Sequence, residues 1–361
     1  MYTELIKIIE GGLSKDTKKV SGYSKLLAEN LAKSGDDKLS ERILKVLKDS
    51  KSQAVYLDQL IATPVDQETR INIVDFYLPE ENDVPLIFSK PLEDSIEHFI
   101  SMNNHKNALR SAGLDINSSL LLYGPPGCGK TTIAKHISKT LNLPLVVARL
   151  DSLVSSLLGN TSKNIRKVFE FASSQPCILF LDEFDAIAKA RDDQHELGEL
   201  KRVINSLLQN IDLFTQDHIL IAATNHDELL DKAIWRRFNN VIEIGLPSKE
   251  EVAELLSLYS KGHDFEFMND QKKLEKVSIL LEDYSPATIK TIVQNCIAKN
   301  IIDEKPATTF EDFIVQVFLF KQHGAYSQDQ LITFLNTHGV SQNLIKELCK
   351  ISIRQVRNVL K

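Results

Sequence analysis

A parallel α/β core flanked by helical segments is the fold class this chain predicts, and three observations predict it. The first is Gly124-Pro125-Pro126-Gly127-Cys128-Gly129-Lys130-Thr131, a complete G-x-x-x-x-G-K-T loop. The second is a set of short apolar runs that alternate with stretches of helical spacing between residues 88 and 246. Strands buried on both faces of a parallel sheet need such continuous runs. The third is Ile178-Leu179-Phe180-Leu181-Asp182-Glu183, an apolar run ending in two carboxylates about 50 residues after the loop.

Composition bounds the rest. A chain of 361 residues has room for two or three domains. Its 43% hydrophobic and 25% charged residues are ordinary for a globular protein. The net charge of −6 argues against a protein that coats nucleic acid non-specifically, and leaves open a local basic patch. The four cysteines, Cys128, Cys177, Cys296 and Cys349, form no C-x-x-C pair. Neither a zinc site nor a disulfide framework is expected, and a reducing, cytoplasmic compartment fits best. The start, Met1-Tyr2-Thr3-Glu4-Leu5, has no basic-then-apolar signal pattern. No apolar stretch reaches about twenty residues, so no membrane span is expected.

Taken in order, residues 1–62 are rich in Lys, Glu and Leu, with Leu39, Ile43, Leu44 and Leu47 at helical spacing. They predict a small helical domain. Pro64, Pro79 and Pro85 mark 63–87 as a linker or short extended segment. Within 88–246 the strand candidates are 119–123, 143–149, 177–182, 218–224 and 241–245. A helix over 195–211 carries Leu197, Leu200, Ile204, Leu207, Leu208 and Ile211 on one stripe. After Pro247-Ser248 the strands stop. Helices are expected over 249–262, 271–282, 286–301 and 309–320, forming an all-α unit over 247–325, and 326–361 is helical with a different texture.

The chemistry follows from the loop and the strand ends. A glycine-rich loop between a strand and a helix turns successive N–H groups into one concavity at a helix N-terminus, where anions are favoured. Lys130 then reaches the β- and γ-phosphates of a nucleotide, and the Thr131 hydroxyl can ligate Mg²⁺. An acid-ended strand lying beside the loop brings Asp182 to the Mg²⁺ sphere and Glu183 to an attacking water. Asn225, at the end of Ile221-Ala222-Ala223-Thr224, is placed either as a turn residue or to hydrogen-bond the water or the γ-phosphate. Arg236 and Arg237 are either a solvated pair or, in an oligomer, arginine fingers acting on the next subunit's nucleotide.

In order and spacing these elements resemble the AAA ATPase family over about 88–320, nearly two thirds of the chain. The resemblance implies a five-stranded parallel sheet with a helical lid, ATP and Mg²⁺ as cofactors, and a ring, usually a hexamer, as the working form. It carries nucleotide contacts onto Gly124, Pro125, Pro126, Gly127, Cys128, Gly129, Lys130, Thr131 and Thr132. Metal ligation falls on Thr131 and Asp182, and catalytic roles on Asp182, Glu183, Asn225, Arg236 and Arg237. Asp283-Tyr284-Ser285-Pro286-Ala287-Thr288-Ile289-Lys290 is similar to the family's lid-helix start, which brings Ala287 to the nucleotide; Ser285 and Pro286 suit N-cap and first helical positions. That motif has no phosphate-sensing arginine, which argues against a clamp-loader or replication-initiator reading. Leu255 and Tyr259 either border the adenine or are core.

Three segments depart from the family or lie outside it. Where protein-threading members carry an aromatic pore residue, this chain has Leu157, followed by Leu158 and Gly159. The two leucines either grip an extended chain or pack within the assembly. Residues 1–62 match no adaptor domain. In 326–361, Val340 to Leu360 looks like a DNA-binding helix-turn-helix, with Ile345, Leu348, Ile351 and Val356 at core positions, Ser352 as cap, and Arg354, Gln355, Arg357 and Asn358 projecting. Lys346 and Lys350 stand where that motif prefers a small residue and glycine, so protein contact remains the other reading. The whole is similar to stand-alone bacterial AAA proteins paired with a subtilisin-like serine protease in toxin-control or phage-defence modules. No H-E-x-x-H or G-x-S-x-G occurs in this chain, so any proteolysis belongs to such a partner.

Overall fold

The computed structural model describes residues 64, 72–79, 86–114, 117–150, 158–174, 176–186, 197–215, 218–323 and 325–361, and short helical stretches before residue 48. The chain divides into two compact units, Met1–Val74 and Asp75–Lys361. In the first unit the longest described stretch is a helix over 38–47, and Leu27, Ala28 and Leu31 are buried.

The second unit is built on a six-stranded sheet. Its strands are β1 (Asp75–Tyr77), β2 (Ser119–Tyr123), β3 (Leu145–Arg149), β4 (Ile178–Asp182), β5 (Ile219–Thr224) and β6 (Asn240–Glu243). Their spatial order is β1-β3-β4-β5-β2-β6. The five predicted strands are mutually parallel, and β1 adds an antiparallel edge, with Asp75 opposite Val147 and Tyr77 opposite Leu145. This edge strand comes from 63–87, the segment expected to be a linker or short extended piece. Strand β4 is separated from the loop strand β2 by β5. The carboxylates of β4 therefore meet the loop across the end of β5.

Helices cover both faces. On one side α1 (Lys90–Asn104) and α3 (Lys130–Leu141) bury Ile96, Phe99, Ile133 and Ile137 against Leu120, Leu122, Val147 and Phe180. A short α2 (Lys106–Ser111) follows α1. On the other side α4 (Leu158–Ser173) and α5 (Leu197–Phe214) pack on each other and on β4 and β5. Phe169 meets Phe214 edge-on at 5.5 Å between ring centres. The stripe predicted for α5 is buried at Ile204, Leu207, Leu208 and Ile211. A single turn, α6 (Lys232–Trp235), is capped by Asp231, whose side chain accepts from the Ala233 and Ile234 N–H groups.

Beyond β6 the four expected helices form, α7 (Lys249–Tyr259), α8 (Gln271–Leu281), α9 (Pro286–Ile302) and α10 (Phe310–Gln322), but the unit is not all-α as expected, because two stretches too short to carry a pattern pair as strands. Two-residue strands β7 (Asp264–Phe265) and β8 (Ala307–Thr308) clip the unit together in parallel. Its core is aromatic, with Phe265, Phe267, Phe310 and Phe313 in contact. The last helices, α11 (Gln328–Thr337), α12 (Gln342–Cys349) and α13 (Ile353–Val359), bury Ile332, Leu335, Ile345 and Val356 in that same core. No helix among the described residues is long and apolar enough to cross a membrane.

Candidate active site

The site forms where β2, β5 and β4 end side by side, at the carboxyl edge typical of ligand sites in open α/β sheets. Left-handed backbone at Gly124, Gly127 and Gly129 (φ 137°, 78° and 96°) turns the loop sharply between β2 and α3. Gly124 also approaches β6 so closely that a Cβ there would lie 2.1 Å from the Ile244 carbonyl oxygen. Gly129 is the N-cap of α3 and contributes no side-chain hydrogen bond, so that helix end has no side-chain cap on its first N–H groups, which suits it to an anion.

Lys130 is buried, and its ammonium donates to the carbonyl oxygens of Gly124 (2.6 Å) and Pro125 (2.9 Å). Burial lowers its pKa, while the Asp182 and Asp185 charges act to raise it. The ammonium is thus held in the loop by neutral carbonyls, a weak substitute for an anion. Thr131, in the first turn of α3, donates its hydroxyl to Asp182 Oδ2 at 3.2 Å. The other oxygen, Oδ1, accepts the Glu183 N–H at 2.9 Å. A hydroxyl and a carboxylate oxygen side by side are hard donors of the kind Mg²⁺ takes, and they would hold that ion here. Pro125, Pro126 and Gly127 are exposed, Cys128 is buried with its thiol pKa pushed up by burial, and Thr132 is half-buried one position further into α3.

Glu183 is exposed and sits at φ 54°, the left-handed region that a non-glycine residue seldom adopts. Such a conformation costs on the order of 1–3 kcal/mol and persists only where its surroundings fix it. They do so on both sides. Phe184, fully buried, donates its N–H to the Ala223 carbonyl at 2.9 Å, and the Ala186 N–H returns to the Glu183 carbonyl at 3.0 Å. Asp185 is buried and accepts from the Thr224 hydroxyl (3.1 Å) and the Asn225 N–H (3.4 Å). Asn225 is half-buried, next to this pair. Neither the strain at Glu183 nor the role of Asp185 was read from the sequence, although the fourth residue of Asp182-Glu183-Phe184-Asp185 was a signal for the latter.

The lid reaches the loop directly. Ala287, in the first turn of α9, donates its N–H to the Gly127 carbonyl at 3.2 Å. Ser285 caps that helix through the Thr288 N–H, as its sequence suggested. A Cβ on Gly127 would meet Ser285 Oγ at 2.6 Å. Tyr259, half-buried, and Leu255, buried, pack on the lid core. Phe238 stands edge-on to Phe184 at 5.8 Å and fixes the segment carrying the arginine pair. Arg237 Nε lies 3.1 Å from Asp212 on α5, and its guanidinium also donates to the Ala233 carbonyl. Arg236 is exposed. Leu157 and the Leu158 side chain lie outside the described residues.

A phosphate loop, an acid-ended strand two places away and a third polar strand end between them define a nucleotide triphosphatase. Residues 120–246 match the family model of the ATPase family associated with various cellular activities, AAA. An uncharacterized AAA family ATPase of Sinorhizobium fredii is 40% identical over 246 residues, 68% of this chain and 73% of its own length. A proteasome-activating nucleotidase of Thermococcus onnurineus is 29% identical, covering 77% of this chain and 67% of its own. A putative 26S proteasome regulatory subunit homologue of Methanocaldococcus jannaschii is 39% identical over 40% of this chain, which spans only 39% of that relative's length. The chain belongs to the AAA family, and it is an ATP-binding ATP hydrolase.

Proposed function

We propose that this protein is an Mg²⁺-dependent ring ATPase, hexameric in the manner of its family, that spends ATP on remodelling or gating a partner protein in the cytoplasm. The observation that carries the hydrolytic reading is the meeting of Thr131 and Asp182 at 3.2 Å beside the buried Lys130. In this reading Lys130 leaves the loop carbonyls for the β- and γ-phosphates, while loop N–H groups hold the remaining phosphate oxygens. Mg²⁺, held by Thr131 and Asp182, would offset charge on the phosphates when bound. Glu183 accepts the proton of a water that attacks the γ-phosphorus; the bond to the β-phosphate oxygen breaks, and ADP and phosphate leave. Asn225 orients that water or the γ-phosphate, and Arg236 and Arg237 reach the nucleotide of the next subunit. Ala287, through its bond to Gly127, lets the lid sense an occupied loop, and Tyr259 borders the base.

A partner protein is supported by relatives whose names describe activation of, or a regulatory subunit homologue for, a proteasome. A separate serine protease of subtilisin type, in a phage-defence or toxin-control setting, is the partner we infer from the resemblance noted above. A pull-down with a Glu183→Gln protein tests this, because the variant should keep ATP bound and hold its partner. Hydrolysis should fall by at least about 10²-fold, the low end for a general base, and Lys130→Ala should abolish tight ATP binding. Unchanged turnover in Glu183→Gln would remove Glu183 from the mechanism.

A second reading, ATP-regulated DNA binding through 326–361, is favoured by one observation. Lys350 adopts φ 53° at the turn between α12 and α13, the conformation for which a helix-turn-helix uses glycine. Arg354, Arg357 and Asn358 are exposed on α13. Binding of the full-length protein to duplex DNA should then weaken steeply with salt, since phosphate contacts release counterions. A flat salt response would leave protein contact as the role of these helices.

A further inference from the structure

The loop after β4 is tied to the end of β5 more tightly than a turn requires. Asp185 is 4% exposed, and a single oxygen, Oδ1, takes both the Thr224 hydroxyl and the Asn225 N–H. Thr224 Oγ1 in turn accepts the His226 N–H at 3.0 Å. The Asn225 backbone is therefore bracketed, with its own N–H and that of the following residue both bound into the Asp185–Thr224 pair. On the other side Phe184 N–H is bonded to Ala223, so residues 184 and 185 grip three consecutive positions, the last two of β5 and Asn225 just beyond it. Burying a carboxylate costs several kcal/mol unless it is well hydrogen-bonded, so a buried acid here is expensive unless the tie itself is useful.

We propose that Asp185 is a positioning residue for hydrolysis: it fixes the Asn225 amide relative to the Glu183 carboxylate, so that both address one water. The two groups come from different strands, and β4 and β5 are joined at their ends by this carboxylate and by the neighbouring Phe184 bond. Without it, Glu183 loses one of the anchors that hold its left-handed backbone, and Asn225 loses the acceptor of its N–H. Small displacements of oriented groups lower rate without touching phosphate affinity, because the phosphates are held by the loop. This inference rests on the roles assigned to Glu183 and Asn225 above.

The test compares kcat and ATP affinity in full-length Asp185→Ala, Asp185→Asn, Thr224→Val and Asn225→Ala proteins, each beside its melting temperature. Asp185→Ala should lower kcat about 10–100-fold with ATP affinity unchanged. Asp185→Asn, whose amide oxygen still accepts both bonds, should recover most of the loss. Thr224→Val keeps the shape and removes the hydroxyl that donates to Asp185 and accepts from His226, so it should lower kcat with a modest fall in melting temperature and ATP affinity unchanged; it carries the test if Asp185→Ala does not fold. Asp185→Ala combined with Thr224→Val should be little worse than the poorer single variant, the non-additivity expected of one network. The proposal is overturned by additive effects in the double variant, by an Asp185→Asn protein as poor as Asp185→Ala, or by a fall in ATP affinity that matches the fall in kcat. If Asn225→Ala hydrolyses ATP normally, the role of Asn225 falls first and the proposal with it. If Asn225→Ala is impaired while Asp185→Ala is not, the proposal alone is overturned.

Discussion

At the scale of single residues, the site is a set of backbone conformations as much as of side chains. Gly124 shows this best. Its φ of 137° and the 2.1 Å that a Cβ would leave to the Ile244 carbonyl make glycine obligatory. Gly124→Ala should destabilise the protein by more than the roughly 1–3 kcal/mol of a strained dihedral, because β6 must also move. Chemical denaturation of the variant beside the parent measures it, and an unchanged midpoint would contradict the close approach. The loop glycines, Lys130 and Thr131 were legible in the sequence because the phosphate-binding turn dictates residue types at fixed spacing. Glu183 was legible as an acid, while its left-handed backbone was not. Nothing in its side chain announces that conformation, which is imposed by Phe184 and Asp185 bonding to β5.

At the scale of elements, the order of the strands was not read from the sequence. The insertion of β5 between the acid strand and the loop strand follows from pairing that apolar runs cannot specify. Such runs show that a strand is buried, and they do not show beside which strand. The edge strand β1 was illegible for a related reason, since three residues with exposed or half-buried side chains carry little pattern. Element-scale contacts also separate the two arginines. Arg237 is anchored within its own subunit by Asp212 and Ala233, whereas Arg236 is exposed. Arginine fingers contribute about 10³-fold or more in kcat. An Arg236→Ala/Arg237→Ala protein should therefore bind ATP and hydrolyse it poorly. Mixing it with Glu183→Gln protein should restore some activity, because mixed rings pair an intact Glu183 with an intact arginine pair. No recovery despite proven subunit exchange would count against action between subunits.

For the whole molecule, pH and size offer two checks. Cys177, just before β4, and Cys296 in the lid core have thiol pKa values pushed up to about 12 by burial, from an ordinary 9.0. Raised folded-state values mean that the folded chain keeps protons which the unfolded chain gives up. Stability from these thiols is complete below the unfolded value and is lost as pH rises from 9 towards 12. Melting temperature should fall across that window, and replacing both cysteines with alanine, despite its cavity cost, should flatten the fall. The second check concerns Leu157. If it grips a threaded partner, Leu157→Ala should keep basal hydrolysis and melting temperature while losing stimulation by the partner. If it packs, the variant should lose about 2–5 kcal/mol of stability, which a melting curve distinguishes.

Trp235 is the chain's one tryptophan, and its place has a practical consequence. Its indole N–H is bonded to the Leu230 carbonyl, and its ring stands edge-on to Tyr123 at 5.5 Å. Tyr123 immediately precedes the phosphate loop, and Arg236 immediately follows the tryptophan. Tryptophan fluorescence therefore has a single origin, between the strand that leads into the phosphate loop and the segment that carries the arginine pair. The unlabelled protein carries its own optical reporter, one whose colour and intensity should respond to adding nucleotide and, if the proposed ring forms, separately to dilution.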